Sequence, residues 1–181
     1  MKKFIFILLP LFFACNEAKE NSKSSLQAEE NKTPSAEITT YYLIRHAEKD
    51  RSNPLENDPD LNEEGRKRAQ KWAEVFRDID FDAIYSSAFK RTKETAQPTA
   101  KRKELDIQIY DPHNAYTEKF QRQTQGKTVL LVGHSNTNPD FVNKVIGQQK
   151  YANIADDENG SLFIVQVLPD GSTTSQVLYF D

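Results

Sequence analysis

A single cysteine among 181 residues excludes an intramolecular disulfide framework and any zinc site built from several thiolates. The chain also has no surplus of positive charge. Its 24 Lys and Arg face 27 Asp and Glu, a formal charge of −3. Nucleic acid is therefore a poor partner, because phosphate contacts along a polymer need a concentrated basic surface. The N-terminal apolar stretch is too short to span a bilayer as a helix, and no internal repeat is visible. What is present is 37% hydrophobic and 28% charged residues, enough for one domain of ordinary size with a real core.

The lone cysteine has a telling position. Met1-Lys2-Lys3 is followed by eleven uncharged residues, Phe4 to Ala14, and then by Cys15, the pattern of a secretory n-region and h-region. Leu11-Phe12-Phe13-Ala14-Cys15 resembles a bacterial lipobox, which implies cleavage before Cys15 and lipid attachment to it. Residues 1–14 are then a lipoprotein signal peptide. Residues 15–39 are a lipidated cysteine and tether, rich in Glu, Lys, Ser and Asn, with too little apolar surface to offset the entropy of ordering. Residues 40–181 form the folded domain. Removing Lys2 and Lys3 leaves 22 basic residues against 27 acidic ones, a formal charge of −5. The expected location is the bacterial envelope, as a periplasmic or outer-membrane lipoprotein held to the membrane by its lipid.

Within the domain, strand and helix signals alternate. Thr40 to Ile44 is β-branched and aromatic, and Phe81 to Tyr85 and Ile107 to Tyr110 read as short strands. Val129 to Val132 is a continuous apolar run, as in a central parallel strand covered on both faces. Helices are expected from an Asn62 cap to Arg77, from Phe89 to Arg102 with a kink or early end at Pro98, from Asn114 to Gln125, and from Pro139 to Ile146. Ser161 to Leu168 and Thr173 to Phe180 alternate around Pro169-Asp170-Gly171, a hairpin. The fold class is therefore α/β: a three-layer sandwich with a mostly parallel central sheet, helices on both faces and a C-terminal β-hairpin.

In such sheets ligands bind at the carboxyl ends of the strands. The first strand runs into Arg45-His46-Ala47-Glu48, the second into Ser86-Ser87 with Arg91 beyond, and the apolar run into Gly133-His134-Ser135-Asn136-Thr137. Guanidinium groups bind phosphate oxygens in bidentate pairs, so Arg45 and Arg91 point to a phosphoryl group. A neutral imidazole is a competent nucleophile at phosphorus, and a second, protonated one stabilises the charge that develops there. A zinc site using both histidines and Glu48 is the rival, but arginines beside the ligands oppose a dication.

These residues are similar to a known set. Leu43-Ile44-Arg45-His46-Ala47-Glu48 resembles the Arg-His-Gly or Arg-His-Ala signature of the histidine phosphatase (phosphoglycerate mutase-like) superfamily. Leu61-Asn62-Glu63-Glu64-Gly65, the block from Tyr85 to Ala96, and Gly133-His134-Ser135-Asn136-Thr137 resemble three further motifs in the same order. The resemblance, to the compact branch, implies that His46 becomes phosphohistidine, that Arg45, Arg91 and His134 complete the phosphate pocket, and that neither metal nor cofactor is needed. Of the two candidates for the general acid, Asp111 and Glu118, the spacing from Arg91 in mutase-like members favours Glu118. Ser86 and Ser87 are expected to shape their turn, Glu48 to orient from the rim, and His113 to be a loop residue. The expected activity is phosphomonoester hydrolysis on a small phosphorylated substrate or a phosphorylated envelope glycan. The alternatives are a mutase-type phosphotransferase and a non-catalytic lipoprotein that binds a phosphorylated ligand.

Overall fold

The computed structural model describes residues 37–180. The expected signal peptide, Cys15 and most of the expected tether lie outside the described residues.

Six strands and four helices follow one another in the order β1 (Thr39–Arg45), α1 (Glu63–Val75), β2 (Ala83–Ser86), α2 (Lys90–Lys103), β3 (Ile107–Ile109), α3 (Glu118–Thr124), β4 (Thr128–Gly133), α4 (Thr137–Ile146), β5 (Ser161–Val167) and β6 (Thr173–Tyr179). They make one sheet in the order β3-β2-β4-β1-β5-β6. β3, β2, β4 and β1 are mutually parallel, and the β5–β6 hairpin adds two antiparallel strands beside β1. The three-layer α/β architecture and its terminal hairpin are as the alternation of strand and helix signals implies.

Alternation along the strands divides the core. Tyr41, Leu43, Val129 and Leu131 face Phe120 of α3 and Phe141, Val142 and Val145 of α4. Ile44, Leu130 and Val132 face the opposite way, toward Trp72 of α1, Phe76, and Ala96 and Ala100 of α2. A strand buried on both faces has no polar side to show, which is why β4 reads Val-Leu-Leu-Val.

Two helix expectations are refined. α2 spans Lys90–Lys103, close to the expected Phe89–Arg102, and runs through Pro98 without ending early. Its buried Thr95, Ala96, Thr99 and Ala100 lie on the sheet-facing side around the proline, so packing outweighs the lost backbone hydrogen bond. The expected helix from Asn114 is instead a 3-10 turn, Pro112–Asn114, followed by a separate α3. Asp111 caps the first by accepting from the His113 N–H, and Thr117 caps the second by accepting from the Phe120 N–H. Two competing caps six residues apart split one helix into two.

α1 opens as expected, with Asn62 Oδ1 accepting from the Gly65 N–H at 2.8 Å. The Asn62 N–H in turn donates to the Glu48 carbonyl at 3.0 Å, which presses the helix start against the chain just past His46. A Cβ on Gly65 would lie 2.1 Å from that carbonyl oxygen. Gly65→Ala must push backbone against backbone, so it is expected to cost about 1–3 kcal/mol, read as a lower urea-unfolding midpoint.

Candidate active site

Strand order assembles the site. β4 lies between β1 and β2, so the segments leaving these three strands are neighbours at one edge of the sheet. The His46 N–H donates to the Gly133 carbonyl at 2.9 Å, and the Ser87 N–H donates to the Val132 carbonyl at 3.3 Å. The His46 and His134 rings end up 5.5 Å apart, centroid to centroid.

His46 is 5% exposed. Its Nδ1 lies 2.8 Å from the Ala47 carbonyl oxygen. A carbonyl only accepts, so Nδ1 carries the hydrogen and Nε2 of the neutral ring keeps its lone pair. Burial lowers the pKa of His46 to about 3; Arg45, Arg91 and His134 push the same way, and only the Ala47 contact opposes them. His134 is lowered to about 4, first by burial and then by Arg91 and His113. Its Nε2 is hydrogen-bonded to Ser87 Oγ at 2.9 Å, and Ser87 Oγ also meets Thr92 Oγ1 at 2.9 Å. Phe89 packs edge-on against the His134 ring, at 5.3 Å. Thr137 Oγ1 accepts from the His134 N–H at 3.1 Å, turning the chain into α4.

The two arginines are held differently. Arg45 is 3% exposed and anchored by the segment before β5. Its Nη1 donates to the carbonyls of Ala155, Asp156 and Glu158 at 2.7, 3.1 and 3.0 Å. Its Nη2 meets Asp156 Oδ1 at 3.0 Å, while its buried Nε has no partner. Arg91, in the first turn of α2, lies 4.2 Å above the Phe89 ring. Its nearest carboxylate, Asp58, is 3.6 Å away, beyond a hydrogen bond, so its buried Nε and Nη1 have no hydrogen-bond partner. Unpaired N–H groups on a buried guanidinium are the configuration of an anion site.

Two hollows meet at Arg45 and His46. One, of about 790 Å³, is lined by His134, Ser87 and Arg91 and by an apolar wall of Phe89, Ile109, Tyr110 and Pro112. The other, of about 550 Å³, is strongly charged and holds Arg51, Glu48, Arg68 and Asn159. Gly133, at the end of β4, is closely packed: a Cβ there would lie 2.2 Å from Asn138 Oδ1 and 2.8 Å from the Tyr110 hydroxyl. Among the described residues, no group of three or more His, Cys, Asp or Glu is placed to hold a metal ion.

The structure thus brings together His46, His134, Arg45 and Arg91. It does not bring Glu118 to them. Glu118 opens α3, pairs at 3.4 Å with Arg122 one turn on, and lines a separate hollow with Thr39, Tyr41 and Tyr116. Asp111, just past β3, and Asp156 are the carboxylates that line the cavity with the two histidines, and Asp111 also caps the 3-10 turn before α3. His113, expected to be a bystander, also lines that cavity. Glu48 pairs with Arg68 at 2.6 Å, as an orienting residue would. Sequence reasoning passed over Asp156, Arg51 and Asp58 altogether. Asp156-Asp157-Glu158 looks like any solvated acidic loop, and nothing local connects it to an arginine more than a hundred residues earlier.

A three-layer α/β domain with two histidines and two arginines at its strand ends defines a class of phosphate-binding site. Comparison with known proteins agrees with that class. Residues 41–112 match the model of the histidine phosphatase superfamily (branch 1), a segment that includes Arg45, His46 and Arg91. Phosphoserine phosphatase 1 of Hydrogenobacter thermophilus is 41% identical over 70 residues, 36% of this chain and 33% of that protein. The matched segment thus spans about a third of that relative's length. The SixA structure from Agrobacterium tumefaciens, assigned there as a phosphohistidine phosphatase, is 26% identical over 78% of this chain and 99% of that one, with a TM-score of 0.60. A mycobacterial glucosyl-3-phosphoglycerate phosphatase shares the fold at 14% identity, covering 80% of this chain and all of that one (100%), with a TM-score of 0.61. Each is a likeness of this chain, and the family model matches less than half of it.

Both histidines are held neutral well below the value of about 6.5 they have when unfolded. Between these limits the unfolded chain binds protons that the folded chain refuses. Their contribution to stability is therefore complete above about pH 6.5 and is lost as pH falls through 4 toward 3. Thermal unfolding is expected to drop over that interval, and His46→Asn or His134→Asn should flatten the drop relative to wild type.

Proposed function

We propose that this chain is a metal-independent phosphomonoester hydrolase that works through a phosphohistidine at His46. The observation that carries this reading is the neutral His46 ring, with its hydrogen fixed on Nδ1, beside buried arginine N–H groups that have no partner. The phosphoryl oxygens would take up Arg91 and the free side of Arg45. The Nε2 lone pair of His46 forms the bond to phosphorus as the ester P–O bond breaks. The imidazolium charge that results is stabilised through Nδ1–H on the Ala47 carbonyl. His134, held neutral by burial, gains a dianion as neighbour when substrate binds, which favours its protonated form and supplies charge to the transferring group. The leaving oxygen takes its proton from a carboxyl group on the cavity wall; Asp111 and Asp156 both line it, and Asp156 is tied to Arg45 and Arg51, which leaves Asp111 for this role. Water then cleaves the phosphohistidine, with the deprotonated acid as base.

The relatives' names favour small phosphorylated substrates, and phosphoserine and glucosyl-3-phosphoglycerate are examples from those proteins. We further propose that the protein is exported and anchored by lipid on Cys15, because Lys2, Lys3, the apolar run and Ala14-Cys15 form the pattern of a lipoprotein leader. Export disfavours a cytosolic mutase role and suits a phosphorylated envelope compound, a sugar of a surface glycan included.

Hydrolysis of p-nitrophenyl phosphate by the purified domain tests the chemistry. His46→Ala should reduce turnover to background, and a chelator should leave the wild type unchanged. Undiminished turnover by His46→Ala would overturn the assignment. Asp111→Asn should lower kcat by about 10²-fold, the usual contribution of a general acid, whereas Glu118→Gln should leave kcat unaltered. For the anchor, Cys15→Ser should move the protein from the membrane fraction to the soluble one.

A further inference from the structure

The charged hollow beside His46 has a feature that phosphoryl transfer does not use. Lys49 and Arg51 follow the nucleophile by three and five residues and converge on the same side as Arg45. Lys49 forms no salt bridge among the described residues. Burial and the neighbouring Arg51 and Arg91 hold its pKa below the usual amine value. The anion that faces this group is the carboxylate of Asp156, whose Oδ1 meets Arg45 Nη2 at 3.0 Å and whose Oδ2 meets Arg51 Nη2 at 2.8 Å.

That carboxylate is not needed to hold Arg45. The guanidinium is already fixed through Nη1 by three backbone carbonyls, of Ala155, Asp156 and Glu158, which remain whatever side chain stands at 156. Asp156 itself is 74% exposed and sits in a segment outside helix and strand. An exposed carboxylate laid across two guanidinium groups, one of them in the phosphate pocket, occupies the place that a ligand's own anion could take.

We propose that Lys49 and Arg51 form a second anion subsite next to the phosphate pocket, occupied by the Asp156 carboxylate until substrate arrives. The substrate class is then a phosphomonoester that carries a further anionic group, a carboxylate or second phosphate, close to the ester. The phosphoryl group displaces Asp156 from Arg45, and the further anion replaces it on Arg51 and Lys49. This deepens the phosphatase reading and rests on it for the identity of the first pocket. It also divides the site sensibly. The leaving group's uncharged part lies along Phe89, Ile109 and Pro112, and its charge lies on Lys49, which lines both hollows, and Arg51.

Equilibrium binding separates this proposal from the question of turnover. Full-length His46→Asn protein is titrated by calorimetry with 3-phosphoglycerate and with glycerol 3-phosphate, compounds of equal carbon number that differ by a carboxylate. The carboxylated ligand is expected to bind about fivefold tighter, the size of one good surface ion pair, and the preference should shrink in 0.5 M salt. Arg51→Met, at an exposed position where folding is not at risk, should bring the two affinities together. Asp156→Asn, which removes the internal competitor, should tighten the carboxylated ligand. Equal affinities in the parent protein, a preference that survives Arg51→Met, or weaker binding in Asp156→Asn would each overturn the proposal. Failure to hydrolyse p-nitrophenyl phosphate would instead count against the phosphatase reading, and leaves the binding comparison intact as a test of the subsite.

Discussion

A guanidinium removed from water must be surrounded by oxygen, and this demand on Arg45 organises the functional end of the molecule. The residue ends a central strand and is almost wholly buried. The segment from Ala155 to Glu158 is wrapped so that three of its carbonyls point at one nitrogen. The same segment is stitched to the second histidine motif, where the Ile154 N–H donates to the Ser135 carbonyl at 2.8 Å. Satisfying one buried cation therefore closes the loop before β5 over the strand ends and sets the walls of both hollows. Desolvating a charge costs several kcal/mol unless it is compensated, so this arrangement tolerates little variation.

The histidines beside it show the complementary effect. In a dry site crowded with arginines, imidazole is held in its neutral form, which is the form that can attack phosphorus. Burial thus fits His46 as a nucleophile and leaves His134 able to gain a proton when a dianion arrives. One environment can serve two roles because an incoming dianion changes the local charge.

Much of this was legible in the chain. β4 is recognisable from four consecutive apolar residues, because a strand covered on both faces has no polar positions. The start of α1 follows from Asn62, and the hairpin from Pro169-Asp170-Gly171, since caps and turns are decided by chemistry within a few residues. The pairing of His46, His134, Arg45 and Arg91 was legible from motif order and from the rule that ligands bind at strand ends. Whether α2 would continue past Pro98 or end early there, and the later start of the helix after β3, were not. The first was settled by packing on the sheet, the second by competition between Asp111 and Thr117 as caps. Spacing from Arg91 favoured Glu118 as the acid, whereas the fold sets Glu118 in a separate hollow and Asp111 on the wall of the cavity that holds the histidines.

By itself, the sequence determined the α/β class, the hairpin, and the four residues expected to handle phosphate. Each of these depends on local periodicity or on a short motif whose chemistry travels with it. Only the tertiary structure decided that β4 lies between β1 and β2, that Asp156 faces Arg45 from 111 residues away, and that a second group of cations adjoins His46. Those outcomes depend on where a buried charge finds its oxygens, and that is a property of the folded surroundings that no neighbouring residue encodes.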